Sequence, residues 1–230
     1  MKLTWLGHSA FHVEMAGKSV LIDPFFSGNG TYPEGFEDRL DRVDYIVVTH
    51  GHEDHLGDTL RLAQKFGSTV VSMFEICMYL GGQGIEKLEP MNIGGTVKSG
   101  GISFTMVNAQ HSSAIMQDGK PVTMGDPAGY ILKADGEKTL YHLGDTEIFS
   151  DMALIQRIHK PQIGLVPMGD RFTMGPETAA MACNEFLEFD TIVPIHWGTF
   201  DLLTGQPEDF KAKVQRGDVR LPKPGEAMEL

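Results

Sequence analysis

The segment Thr49-His50-Gly51-His52-Glu53-Asp54-His55-Leu56 puts three histidines and an aspartate within six residues. Imidazole nitrogens and carboxylate oxygens are natural donors for zinc, and mixed nitrogen and oxygen sets also take manganese or iron. Adjacent Asp54 and His55 point away from the direction shared by His50 and His52, so one ion cannot easily use all four. Two ions about 3.5–4 Å apart can, each polarising the substrate or a shared water. Asp and Glu are favoured at a helix N-terminus by capping and the dipole alone. That does not account for three histidines. Gly51 is expected to take a backbone conformation closed to other residues, as a loop folding several side chains around a small volume requires.

The flanking residues say what must position this loop. Tyr45 to Thr49 is an apolar run suited to a strand covered on both faces, and Leu56, Leu60, Ala63 and Phe66 recur at helical spacing before Gly67. A strand therefore runs into a ligand-rich loop that opens a helix. Leu3 to Leu6, Ser19 to Ile22, Thr69 to Ser72, Ile102 to Val107, Ile163 to Val166 and Thr191 to Ile195 read as further strands. Phe74 to Leu80 reads as a short helix, and Pro176 opens one expected to reach about Phe189. Asp135-Gly136 predicts a hairpin between Tyr130–Ala134 and Lys138–His142. The stretch from Phe26 to Arg39 has no periodicity and reads as a loop near the site. Phe25, Phe26, Tyr32, Phe36, Trp197 and Phe200 are candidates for the pocket mouth.

Composition excludes several classes. With 230 residues, 41% hydrophobic and 22% charged, the chain fits one globular domain able to bury a core without disulfides or a structural metal. Nineteen Lys and Arg against 31 Asp and Glu give a net charge of −12, which disfavours nucleic acid and anionic membranes. A metal centre brings its own positive charge, so a small anionic substrate stays open. Cys77 and Cys183 read as two reduced buried thiols. No apolar run approaches the length of a membrane span, and the amino terminus does not read as a signal peptide, so a cytoplasmic location is expected.

The His-rich loop resembles the His-x-His-x-Asp-His signature of the metallo-β-lactamase superfamily, and the order of the remaining elements matches over nearly the whole chain. The resemblance implies an α+β fold, a four-layer αββα sandwich formed by residues 1–230 as a single domain, with a dinuclear centre at one edge of the central sheets. It implies His50, His52 and His111 around one ion, Asp54, His55 and His196 around the other, and Asp145 bridging. His111 follows a strand and precedes Ser112-Ser113, Asp145 lies in Leu143-Gly144-Asp145-Thr146, and His196 ends the run Pro194-Ile195-His196. Taken singly each is a weak signal; their succession at strand ends is a strong one.

Other branches differ at single positions. Flavo-diiron oxidoreductases carry Glu where this chain has His52, and the lactamases generally lack the bridging Asp. Asp145 points to the lactonase, thioesterase and phosphodiesterase branches. Trp5-Leu6-Gly7-His8-Ser9 and Leu21-Ile22-Asp23-Pro24 resemble the opening of a branch similar to ascorbate-6-phosphate lactonase and to N-acyl phosphatidylethanolamine phospholipase D. By that analogy Asp23 orients the His-rich loop through hydrogen bonds, and His8 reaches the substrate pocket. His142, on the hairpin, reads as core-facing rather than as a ligand.

The implied activity is metal-dependent hydrolysis of an ester, lactone or phosphodiester in a small-molecule substrate, by a hydroxide held between two ions. Asp54 and Asp145 are the catalytic carboxylates, Asp54 orienting the nucleophile and taking up a proton. The ions are expected to be zinc, with manganese, iron or nickel as alternatives. An iron-dependent oxidoreductase resembling persulfide dioxygenases and a non-catalytic metal-bound scaffold remain alternatives, and assembly is open, a homo-oligomer included.

Overall fold

The computed structural model describes residues 1–230 and contains two seven-stranded sheets. In chain order, β1 (Lys2–Trp5), β2 (Phe11–Met15), β3 (Lys18–Ile22) and β4 (Tyr45–Val48) lead through the short helix α1 (Glu53–Leu56) into α2 (Thr59–Phe66). They are followed by β5 (Thr69–Met73), α3 (Phe74–Gly82) and β6 (Leu88–Met91). The second half runs β7 (Thr96–Ser99), β8 (Ile102–Asn108), the hairpin β9 (Ala114–Gln117) and β10 (Lys120–Thr123), β11 (Ala128–Ala134), β12 (Leu140–His142) and α4 (Met152–His159). It continues with β13 (Ile163–Pro167), α5 (Pro176–Glu185), β14 (Thr191–Ile195), α6 (Pro207–Lys213) and β15 (Asp218–Val219). The last strand, β16 (Ala227–Glu229), returns to pair with β1.

Sheet order is β16-β1-β2-β3-β4-β5-β6 in the first half and β15-β14-β13-β12-β11-β8-β7 in the second. A 40-residue apolar cluster fills the space between the sheets and the underside of α2 and α3, joining Val47 and Leu62 to Phe104 and Tyr130. Alternate residues of the second sheet, such as Ile131 and Tyr141, instead join a 19-residue cluster under α4, α5 and α6. Period-two alternation along β11 thus feeds two different cores, which makes four layers, αββα.

Strand polarity places the site. β3, β4, β5 and β6 are mutually parallel, and β1 shares their direction because both it and β3 run antiparallel to β2. In the second sheet β12, β13 and β14 are parallel, and β8 shares their direction through β11. His8, Asp23, His50, His111, Asp145 and His196 all lie just beyond carboxyl ends of these co-directional strands, the edge where open α/β sheets bind ligands.

Two expectations about elements are corrected. The helix opened by Pro176 ends at Glu185, because Leu187 and Phe189 turn into the second core instead of continuing the spiral. The Asp135-Gly136 hairpin exists, but its second strand begins at Leu140, since Thr139 gives its carbonyl to Gln162 and Ile163 at the start of β13. The phenylalanine-rich loop is pinned to α2 at two points. Asp58 accepts the Phe26 and Ser27 amides at 2.9 and 2.7 Å, and Glu37 accepts Arg61 through two bonds of 2.8 Å and Lys65 at 2.7 Å.

Those bonds, Arg61's first, hold the Glu37 carboxyl down to about 2 from its ordinary 4.5. A carboxylate with a depressed folded pKa adds stability that is complete above the unfolded value and lost as pH falls through the folded one. Because Arg61 and Lys65 are half exposed and screened, Glu37→Gln is expected to cost only about 1 kcal/mol at pH 7. The gap between variant and native protein should close as pH falls from 4.5 toward 2 in urea denaturation series.

Candidate metal centre

His50 leaves the buried strand β4 and is itself fully buried. Its orientation is set from behind. The Thr49 amide and hydroxyl both donate to Asp23, at 2.8 and 2.7 Å, and His50 Nδ1 lies 3.0 Å from the same hydroxyl. The hydroxyl's proton is committed to Asp23, so His50 Nδ1 carries a hydrogen and Nε2 is left with its lone pair. His55 is held in the same way, with Nδ1 donating to Asp23 Oδ2 at 2.8 Å. One buried carboxylate thereby orients both rings, turning the two Nε2 atoms toward the cavity.

Around His50 Nε2 stand His52 Nδ1 at 3.0 Å and, beyond it, His111 Nε2 at 3.2 Å from His52 Nδ1. Nitrogens bound tetrahedrally to zinc at about 2.0–2.1 Å lie about 3.3 Å apart, so these spacings suit ligands sharing one ion. Asp54, His55 and His196 form a second group with His8. Asp145 Oδ2 joins the two groups, at 2.9 Å from His196 Nε2, 3.3 Å from His55 Nε2 and 3.7 Å from His111 Nε2.

His55 Nε2 and Asp145 Oδ1 are buried with no hydrogen-bond partner. Orphaned buried polar atoms are costly, and metal ions held among these donors would relieve that cost. The donor set therefore fits divalent metal, and all seven residues expected as ligands converge. Five of them, with Ser112 and Phe172, line a cavity of about 290 Å³.

Residues 18–197 match the beta-lactamase superfamily domain. The chain is 47% identical to a UPF0173 metal-dependent hydrolase of Chelativorans sp. (strain BNC1), covering 100% of both, and 50% identical to one of Sinorhizobium medicae (strain WSM419), covering 97% of both. Igni18, a metallo hydrolase from the hyperthermophilic archaeon Ignicoccus hospitalis KIN4/I, is 36% identical, with a TM-score of 0.88 over 100% of this chain and 98% of that one. The chain belongs to the UPF0173 metal-dependent hydrolases.

In this hydrolase burial, reinforced by neighbouring imidazoles, lowers the pKa of His50, His52 and His111, leaving them in the neutral form that donates to metal. Burial opposes the charge on Asp145, but His196 and His55 outweigh it and hold the carboxyl well below its ordinary range. His8 is pushed down to about 4, by burial first and then by His196. Neutral His8 donates Nε2–H to Asp54 Oδ2 at 3.0 Å, and its Nδ1 accepts the Thr199 hydroxyl at 3.0 Å. His8, Asp23 and His196 all take left-handed backbone, with φ of 52°, 45° and 59°. Such conformations store strain of about 1–3 kcal/mol each and cluster at functional sites.

Several features departed from the sequence reading. Gly51 does not need positive φ; a Cβ there would lie 2.5 Å from Met124 Cβ, so the glycine admits the chain that follows the β9–β10 hairpin. None of the six aromatics expected at the mouth lines the cavity, and the aromatic that does, Phe172, was passed over. Thr49, Thr199 and Ser112, whose Oγ is 3.3 Å from His52 Nε2, were also missed. Thr49 and Ser112 carried a signal, each adjacent to a candidate histidine, His50 and His111; Thr199 carried none. His142 is a core residue, with Nε2 donating to the Ser9 carbonyl and Nδ1 accepting the Gly144 amide, which braces the turn bearing Asp145. Both cysteines are free and buried, and burial pushes each thiol up to about 12. No helix is long and apolar enough to cross a membrane.

Proposed function

We propose that this hydrolase holds two divalent ions, most naturally zinc given the nitrogen-rich donors, and cleaves an ester, lactone or phosphodiester bond of a small molecule. His50, His52 and His111 hold one ion, Asp54, His55 and His196 the other, and Asp145 is shared. The observation carrying this reading is that one oxygen, Asp145 Oδ2, lies within 3.7 Å of nitrogens from both groups. Bound there, the pair would polarise the scissile carbonyl or phosphoryl group and lower the pKa of water to supply a nucleophile near neutral pH.

The protein's own part is positional. Asp23 and Thr49 keep the imidazoles of His50 and His55 in register. Asp54 Oδ2 is steadied by His8, and the Asp54 carboxylate, in the cavity wall, would orient the attacking water. Purified protein should carry two equivalents of metal and hydrolyse members of a panel of lactones, thioesters and phosphodiesters. Chelation should abolish turnover, and zinc should restore it. Undiminished hydrolysis after chelation would overturn the reading, and oxygen consumption with iron and a persulfide substrate would replace it with an oxidoreductase on the same fold.

A further inference from the structure

The turn from Gly169 to Met174 follows β13 and carries the one apolar side chain that lines the catalytic cavity, Phe172. Its backbone is unusual. Asp170 and Arg171 are consecutive non-glycine residues in the left-handed region, with φ of 67° and 58°. Asparagine, aspartate and histidine tolerate that region, but arginine has no side-chain reason to enter it.

The conformation is held by Asp170. Its amide donates to the Met174 carbonyl at 3.0 Å, and its carbonyl accepts the Phe172 amide at 2.6 Å. Its carboxylate accepts the Arg171 amide at 2.7 Å and the Thr204 hydroxyl at 3.3 Å. The Arg171 guanidinium lies 5.7 Å from the centre of the Phe172 ring.

All this constraint leaves Phe172 48% exposed. A single exposed phenylalanine is ordinary, and folding gains nothing from straining two residues to expose one. The neighbouring loop repeats the pattern. It is joined to the turn by the Thr204 bond and by the Gly205 amide donating to Gly169, and it presents Phe200, 40% exposed. Phe200 sits edge-on to His8, 5.5 Å between ring centres, and His8 in turn touches Asp54 in the cavity wall.

Resting on the two-metal reading above, we propose that Phe172 is a specificity wall that takes an extended apolar group attached to the scissile function. The substrate is then an ester, lactone or phosphodiester bearing an alkyl or aryl chain, its polar end at the metals and its chain against Phe172. Asp170 is the positioning residue that holds the wall in place.

Calorimetric titration of zinc-loaded protein with methylphosphonate and octylphosphonate tests this, because the two share a head group and differ only in the chain. Octylphosphonate is expected to bind about a hundredfold more tightly, the gain from covering three or four methylenes. Phe172→Ala should lose about tenfold of the octyl affinity and leave methylphosphonate unchanged, and Asp170→Ala should shift the ratio the same way. Equal affinity for the two probes, or an unaltered ratio in Phe172→Ala, would overturn the wall. If methylphosphonate itself did not bind, the two-metal reading would fall and take this inference with it.

Discussion

Asp145→Ala is expected to retain at most one divalent ion per chain and to lose hydrolysis by about a thousandfold or more. The size follows from position. Asp145 Oδ2 is the atom nearest to both ligand groups, and Oδ1 has no partner within the chain. On the proposed two-metal reading, removing the carboxylate would take a ligand from each ion, and the stabilisation that metal ions give a developing charge amounts to several kcal/mol, each 1.36 of which is tenfold in rate. Metal content by mass spectrometry and kcat/KM on the best substrate of the panel read the two effects separately. Circular dichroism and thermal melting guard against simple unfolding, because the variant also deprives buried His55 and His196 of their counter-charge. Two ions with native turnover in a folded variant would end the assignment of Asp145.

The His-rich loop was legible because its information is covalently local: four donors in six residues after an apolar run need no tertiary structure to be noticed. His111, Asp145 and His196 are less legible, since a lone histidine or aspartate after a strand is usually structural. They became readable only as an ordered series at strand ends, and strand polarity then brings them to one edge. What escaped reading depends on contacts between distant segments. Gly51 is explained by Met124, 73 positions later, and His8 by Thr199 in the last quarter of the chain. Phe172 lies in a turn whose strained backbone leaves no periodic signature. The aromatics of the loop from Phe26 to Arg39 were misassigned for the opposite reason, because an aperiodic aromatic stretch looks the same whether it lines a pocket or packs. Here Phe26 stacks on Tyr32 at 4.5 Å, and both Phe26 and Phe36 are buried.

The site rests on backbone as much as on side chains, and Gly169→Ala should make that visible. A Cβ at Gly169 would lie 1.8 Å from the carbonyl oxygen of His196 and 2.9 Å from its carbonyl carbon. Neither atom can rotate away as a flexible side chain would, because the segment before it is hydrogen-bonded in β14 and the His196 amide donates to the His8 carbonyl at 3.2 Å. The strands must separate or His196 must move. Overpacking of this kind is expected to cost about 3 kcal/mol, which lowers Tm by about 10 °C in a chain of this length. Because the displaced residue is a proposed metal ligand, metal content and turnover should fall together with stability. Gly82→Ala is the matched control: nothing lies within 4 Å of the added Cβ at the end of α3, so it should be neutral or stabilise by about 0.5 kcal/mol. If both variants melted and turned over like the native protein, the close approach of the two strand ends that delivers His196 to the centre would be refuted.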